Sequence, residues 1–150
     1  MDRARVIDFT MFVLCTLIIL FVTLRRGVFL IAPPYDVSAY LVIFEKQSRF
    51  SKPTSTVFSY IAVIVSSLIL HYTLGDSVVS LALNVLIVAA FISFTRYSHP
   101  PALALTIFSY LTGDLLGFTL TSLLVLLIIF TVAQASNILL QHIKLVSSVK

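Results

Sequence analysis

Four apolar stretches, residues 7–24, 54–74, 77–95 and 115–135, carry a single charged side chain among them, Asp8 at an edge. Each is 18 to 21 residues long, the length a helix needs to cross a hydrocarbon core about 30 Å thick. Lipid offers backbone N–H and C=O groups no partner, so such segments close their hydrogen bonds internally as helices. The whole chain agrees, with 59% of its 150 residues hydrophobic and 11% charged. A mean hydropathy of +1.10 lies far from the balance of a soluble domain. The pattern predicts an all-α integral membrane protein, residues 1–150 forming one transmembrane domain built as a helical bundle with four long spans.

Two further apolar segments, 27–44 and 97–112, are interrupted by prolines and predict two short, proline-broken or re-entrant helices. The chain then divides into two triplets of long span, proline-broken segment and long span. Arg25-Arg26 and Pro33-Pro34 punctuate the first, Arg96 and Pro100-Pro101 the second. Three crossings per triplet set the halves upside down relative to each other, the 3+3 inverted repeat common in transporters. A direct likeness competes with it, Thr56-Val57-Phe58-Ser59-Tyr60 against Thr106-Ile107-Phe108-Ser109-Tyr110. Six crossings in the cell membrane with both termini cytoplasmic put Arg3, Arg5, Lys46, Arg49, Lys52, Arg96, Lys144 and Lys150 inside and only Arg25 and Arg26 outside. Five crossings with the N-terminus outside give the same count, eight against two, so charge leaves both pass numbers open.

His99, Pro100 and Pro101 fall between two apolar runs, and a ring that can change charge is costly at membrane depth. Proline suits the first turn of a helix, where an N–H would lack a partner anyway, so a helix is predicted to start at Pro101 and Ala102. Its free N–H groups and dipole would favour an anion, with His99 at the mouth as donor or proton carrier. Ala102 leaves room for close approach, and Arg96, three residues earlier, is a further anion-complementing group. The first half offers a second helix start at Pro33-Pro34, with Ser38 as a neutral hydrogen-bonding group. There Asp36 reads either as an N-cap or as a proton-coupling carboxylate, and it would oppose an anion on the same dipole. For transport, both helix starts should face one polar cavity. The bland reading of His99 is a ring that only bonds neighbouring backbone beside a kink.

Other features exclude or narrow. Phosphate-binding loops, dinucleotide glycines and HExxH or GxSxG motifs are absent, and the three histidines have no chelating spacing, so neither an enzyme, a metal site nor a cofactor is expected. The net charge of +4 sits at segment ends, where membrane orientation explains it, and no nucleic-acid partner is expected. Cys15, the lone cysteine, reads as a small packing residue, and the first apolar run, lacking a small-residue cleavage pattern, as a retained helix. Gly75-Asp76 and Gly113-Asp114 read as helix stops followed by N-caps. His71 reads as a packing or interfacial residue. The polar tail 136–150 reads as an amphipathic surface helix with Ile138, Leu139 and Ile143 toward lipid and Lys144 toward water. Ala82, Ala89 and Ala90 offer small-residue faces for a homo-oligomer.

The segment Thr95-Arg96-Tyr97-Ser98-His99-Pro100-Pro101-Ala102 resembles the core motif of the HPP family of small integral membrane proteins. Ser38-Ala39, Gln47 and Pro53 resemble that family's first block. The likeness covers roughly residues 28–135; it departs at Leu103-Ala104-Leu105, where the family usually has Gly-Ala-Thr, and around Ser59-Tyr60, where glycines are expected. Some members are linked to nitrite transport, so the resemblance implies a transporter or channel for nitrite or another small inorganic anion, passive or proton-coupled. A non-transporting membrane scaffold or accessory subunit is the alternative reading, and an intramembrane enzyme a more distant one.

Overall fold

The computed structural model describes residues 3–148, with 144–148 as backbone only. Six helices account for nearly all of it: α1 (Arg3–Arg25), α2 (Phe29–Phe44), α3 (Pro53–Leu74), α4 (Val78–Phe94), α5 (Pro101–Leu111) and α6 (Leu115–Ser148). No strand occurs among the described residues. Three helices are long and apolar enough to cross a membrane, Arg3–Arg25, Pro53–Leu74 and Leu115–Ile143. The fourth long span expected at 77–95 is instead the 17-residue α4, about 25 Å at 1.5 Å per residue. It is cut short at one end by Ser77, whose hydroxyl accepts from the Ser80 N–H, and at the other by the extended backbone of Thr95.

The proline pairs start helices rather than break them. Pro33 and Pro34 lie in the first turn of the regular part of α2, Ala32–Ala39, which follows a tight turn at Phe29–Ile31 and ends in a wide π-helical turn at Tyr40–Phe44. Pro101 opens α5. The polar tail continues the last long helix, α6 running on through residue 148, and Lys150 and the side chain of Lys144 lie outside the described residues.

Short turns reverse the chain at each joint. Gly75 stops α3 at φ 66° and Gly113 precedes α6 at φ 62°, conformations that cost a side chain more than glycine. Asp114 caps α6 by accepting from the Gly117 N–H at 2.9 Å. The matching expectation for Asp76 fails, because Ser77 takes the cap and Asp76 turns back to His71 Nε2 at 2.8 Å.

Side-chain pairs set the directions. The rings of Phe9 and Phe12 meet Phe44 and Tyr40, so α2 runs back along α1. Ser59 bonds the Tyr97 carbonyl while Ser67 bonds Ser109, so α3 and α5 run the same way and α2 runs against both. The Asp8 carboxylate, Lys46, Ser136 and Asn137 form one cluster that ties α1, the 45–52 loop and α6 together at one end. In the resulting bundle α1 packs on α6 and α4 on α3, α1 also on α2 and α4 on α5, while α2 meets α5 and α3 meets α6. The core runs through the middle, from Cys15 and Ile19 through Tyr35, Tyr60 and Leu105 to Phe118 and Ile129, all fully buried.

Candidate functional site

His99 lies in the connection between α4 and α5 and is fully buried. Its Nδ1 is 2.9 Å from the Phe50 carbonyl; a carbonyl only accepts, so Nδ1 carries a proton. The Thr56 hydroxyl lies 3.3 Å from the same nitrogen. On the other side of the ring Nε2 is 2.9 Å from Ser38 Oγ. Ser38 Oγ in turn accepts from the Tyr60 hydroxyl at 2.8 Å and lies 2.9 Å from the Pro34 carbonyl. Ser38, Thr56 and Tyr60 are all fully buried. Helices α2 and α3 and the loop before α3 therefore converge on one imidazole.

Counting protons shows what this cluster can do. With Nε2 bare, the single Ser38 hydroxyl proton can be donated to it. With Nε2 protonated, the ring donates to Ser38, and Ser38 turns its own proton to the Pro34 carbonyl while still accepting from Tyr60. Every donor has an acceptor in both states, and the exchange requires only rotation of one hydroxyl. The buried polar network is therefore satisfied in both protonation states with no rearrangement of helices.

Only part of the sequence-predicted site comes together here. Ser38 meets His99, through the second turn of α2 rather than its mouth, because α2 and α5 are antiparallel and their starts point in opposite directions. Pro101 and Ala102 are buried behind the ring, and Pro100 is exposed. The α5 mouth offers no free N–H in its first turn: Pro100 and Pro101 have none, and those of Ala102 and Leu103 donate to the carbonyls of His99 and Pro100. Arg96 is exposed, with its guanidinium on the ring and hydroxyl of Tyr97, away from the imidazole. Asp36 caps nothing, since the regular part of α2 starts four residues earlier, at Ala32, and has no side-chain cap. It is half-buried, its Oδ1 is without a hydrogen-bond partner, and it forms no ion pair among the described residues.

The two proline pairs do line one cavity, of about 350 Å³, but its walls are carbon rather than polar. Pro33, Pro34, Val37 and Leu41 form one wall and Pro100, Pro101, Ala104 and Phe108 the other, with Phe50 between. Each residue of the first wall is matched by one 67 positions later in the second. His99 has no such polar counterpart, since Ala32 occupies the equivalent place.

Thr56 and Tyr60 contact His99 and Ser38, and Ser59 bonds the Tyr97 carbonyl beside them, three residues of the candidate site that the motif reading passed over. The signal was present: Thr56, Ser59, Tyr60, Ser67 and His71 are spaced by three, four and seven residues on a largely apolar helix, so they share one face. That face continues away from His99 into a second buried network. Asn84 Nδ2 donates to Ser67, Ser67 bonds Ser109, and Ser109 donates to the Thr106 carbonyl. Beside it His71 stacks on Tyr110 at 4.0 Å and donates from Nδ1 to the Ser67 carbonyl at 2.7 Å. No cluster of potential metal ligands is found among the described residues.

An apolar helical bundle with a histidine network at its centre defines an integral membrane protein. Its family follows from comparison of the whole sequence: the model for the HPP transmembrane region matches residues 3–145, and the chain belongs to the HPP family. No curated protein and no solved structure matches it.

Proposed function

We propose that the chain is a membrane transporter that moves a small inorganic anion, such as nitrite, together with a proton. The observation that carries this reading is the His99 cluster, which is fully buried and satisfied with or without a proton on Nε2. Among the described residues His99 has no carboxylate partner. A buried cation needs a counter-charge, and a small anion supplies it, so proton and anion load together. The closed first turn of α5 favours this route over passive anion binding at a helix mouth. Arg96 would attract anions at the entrance, Asp36 would carry a second proton, and Pro100, Pro101 and Ala102 would hold the ring in place.

The packing supports a 3+3 inverted repeat. Exchanging α1 with α4, α2 with α5 and α3 with α6 carries the α1–α6 packing onto α4–α3, α1–α2 onto α4–α5 and α2–α6 onto α5–α3, and the paired walls of the proline cavity follow the same exchange. Successive helices alternate in direction, which supports six crossings with both termini on one side. Arg5, Lys46, Arg49, Lys52 and Arg96 gather at that end and Arg25 and Arg26 at the other, which supports a cytoplasmic placement for the termini. A homo-oligomer would supply the wall that a chain of this size lacks.

A second reading has its own observation. Both ring nitrogens are already partnered, as they would be in a scaffold or accessory subunit where His99 only fastens α2, α3 and α5. Proteoliposomes decide between them. Nitrite uptake should be driven by an inward proton gradient and abolished by His99→Ala. Absence of flux for nitrite, nitrate, formate and halides under such a gradient would leave the scaffold.

A further inference from the structure

The carbon-walled groove between α2 and α5 opens to the outside of the bundle along exposed Pro33, Val37 and Pro100. At about 350 Å³ it matches a small-molecule site in size. Acyl chains surround any membrane protein, so apolar walls alone give a lipid no reason to stay; a headgroup contact must fix it. Such a contact lies at the Phe50 end. The Arg49 guanidinium sits 4.5 Å over the Phe50 ring, Lys52 follows two residues later, and both are exposed. Neither forms an ion pair among the described residues, because Glu45 in the same loop is taken by Arg5 at 3.6 Å.

We propose that this groove is a binding site for one anionic phospholipid. An acyl chain lies between the two proline pairs, and the phosphate is held by Arg49 and Lys52. Phe50 joins the two parts, with its ring walling the groove and its carbonyl accepting from His99. Pro34 does the same on the opposite side, walling the groove while its carbonyl faces Ser38. The lipid thus presses on the backbone that positions the histidine network, although the binding claim stands whether or not the protein transports anything.

Native mass spectrometry of the purified protein with phosphatidylglycerol or phosphatidylcholine tests it. One phosphatidylglycerol per chain should survive activation that strips phosphatidylcholine. The variant Arg49→Gln/Lys52→Gln should lower that preference roughly tenfold or more, from two basic contacts at a membrane surface. Filling the groove by Ala104→Trp should remove the bound lipid with both charges intact; if that variant does not fold, Val37→Trp fills it from the facing wall. Equal retention of the two lipids, or retention unchanged by the charge variant, would overturn the proposal. So would a dimer that Ala104→Trp or Val37→Trp dissociates, since a second copy would then occupy the groove.

Discussion

Ser38→Ala is the sharpest probe of the histidine network, because the hydroxyl meets three partners and the methyl meets none. In the variant a protonated Nε2–H would face no acceptor. A hydrogen bond to a charged group contributes about 1.5–3 kcal/mol and one to a neutral group about 0.5–1.5. Ser38→Ala loses the first when Nε2 is protonated and the second when it is bare, a difference of about 1–1.5 kcal/mol, and one pH unit corresponds to about 1.36 kcal/mol. Proton-driven nitrite uptake in Ser38→Ala should therefore need a pH lower by about one unit to reach half its maximum. At fixed pH near neutrality, uptake should fall about tenfold. The substitution also strands the buried Tyr60 hydroxyl, which donates to Ser38 in the native protein. Interhelical bonds of this kind contribute about 0.6 to 1.7 kcal/mol in membrane bundles, so the unfolding free energy in mixed micelles should drop by that much. Ser38→Ala/Tyr60→Phe removes the stranded donor and should recover much of the stability while keeping the full pH shift. A single variant with an unchanged pH midpoint and merely lower stability would refute proton handling by this cluster. A double variant that restores both together would do so as well.

Three other outcomes follow from the structure. Lys46 and Asp8 are mostly buried at the end of the bundle, so Asp8→Asn or Lys46→Met alone should destabilise by about 1–3 kcal/mol, less than the 3–5 of a fully buried pair. The double replacement should recover most of this in thermal unfolding, and an additive double variant would mean that the two do not act as a pair. Asp114→Ala should lose about 1 kcal/mol of N-cap stabilisation. Gly117→Ala should change stability little, because its methyl would collide with Asp114 Oδ2 and the lost cap offsets a gain of about 1 kcal/mol in helix propensity. Reporter tags on the two termini should be accessible from the same side of intact membranes; opposite sides would exclude six crossings.

Much of the fold was legible because lipid makes hydrophobicity and length act together, and α1, α3 and the start of α6 lie close to where the apolar runs put them. The failures have definite causes. Run length overstated α4, since Ser77 and Thr95 are uncharged yet end the helix through backbone geometry. After residue 135 polarity rises, but nothing in the sequence stops a helix, and α6 runs on through residue 148. His99, Ser38 and the proline pairs were legible from cost, as polar or rigid groups where apolar ones are the rule. Their geometry was not, because it depends on α2 and α5 running in opposite directions. Tyr60 was missed since a tyrosine near a span end is ordinarily an interfacial anchor, whereas this one faces inward on the Thr56 and Ser59 side of α3.

The frame and the site obey different symmetry. Four wall residues of α2 have partners 67 positions later in α5, and helix packing follows the same exchange, yet the place of His99 is taken by Ala32 in the other half. In the proposed inverted repeat, the two halves would provide two arrangements of nearly equal energy, which is what rocking access requires. A proton site repeated in both halves would bind in both arrangements, and by linkage a ligand with equal affinity for two states shifts neither. One histidine, held by Phe50 from one side and Ser38 from the other, breaks that equality. Its Phe50 contact comes from the 45–52 loop and its Ser38 contact from α2, so rocking of α2 against the loop would separate the two partners of the ring. Under the proposed function, the affinity for the proton would then differ between the arrangements, and the proton gradient would set the direction of the cycle.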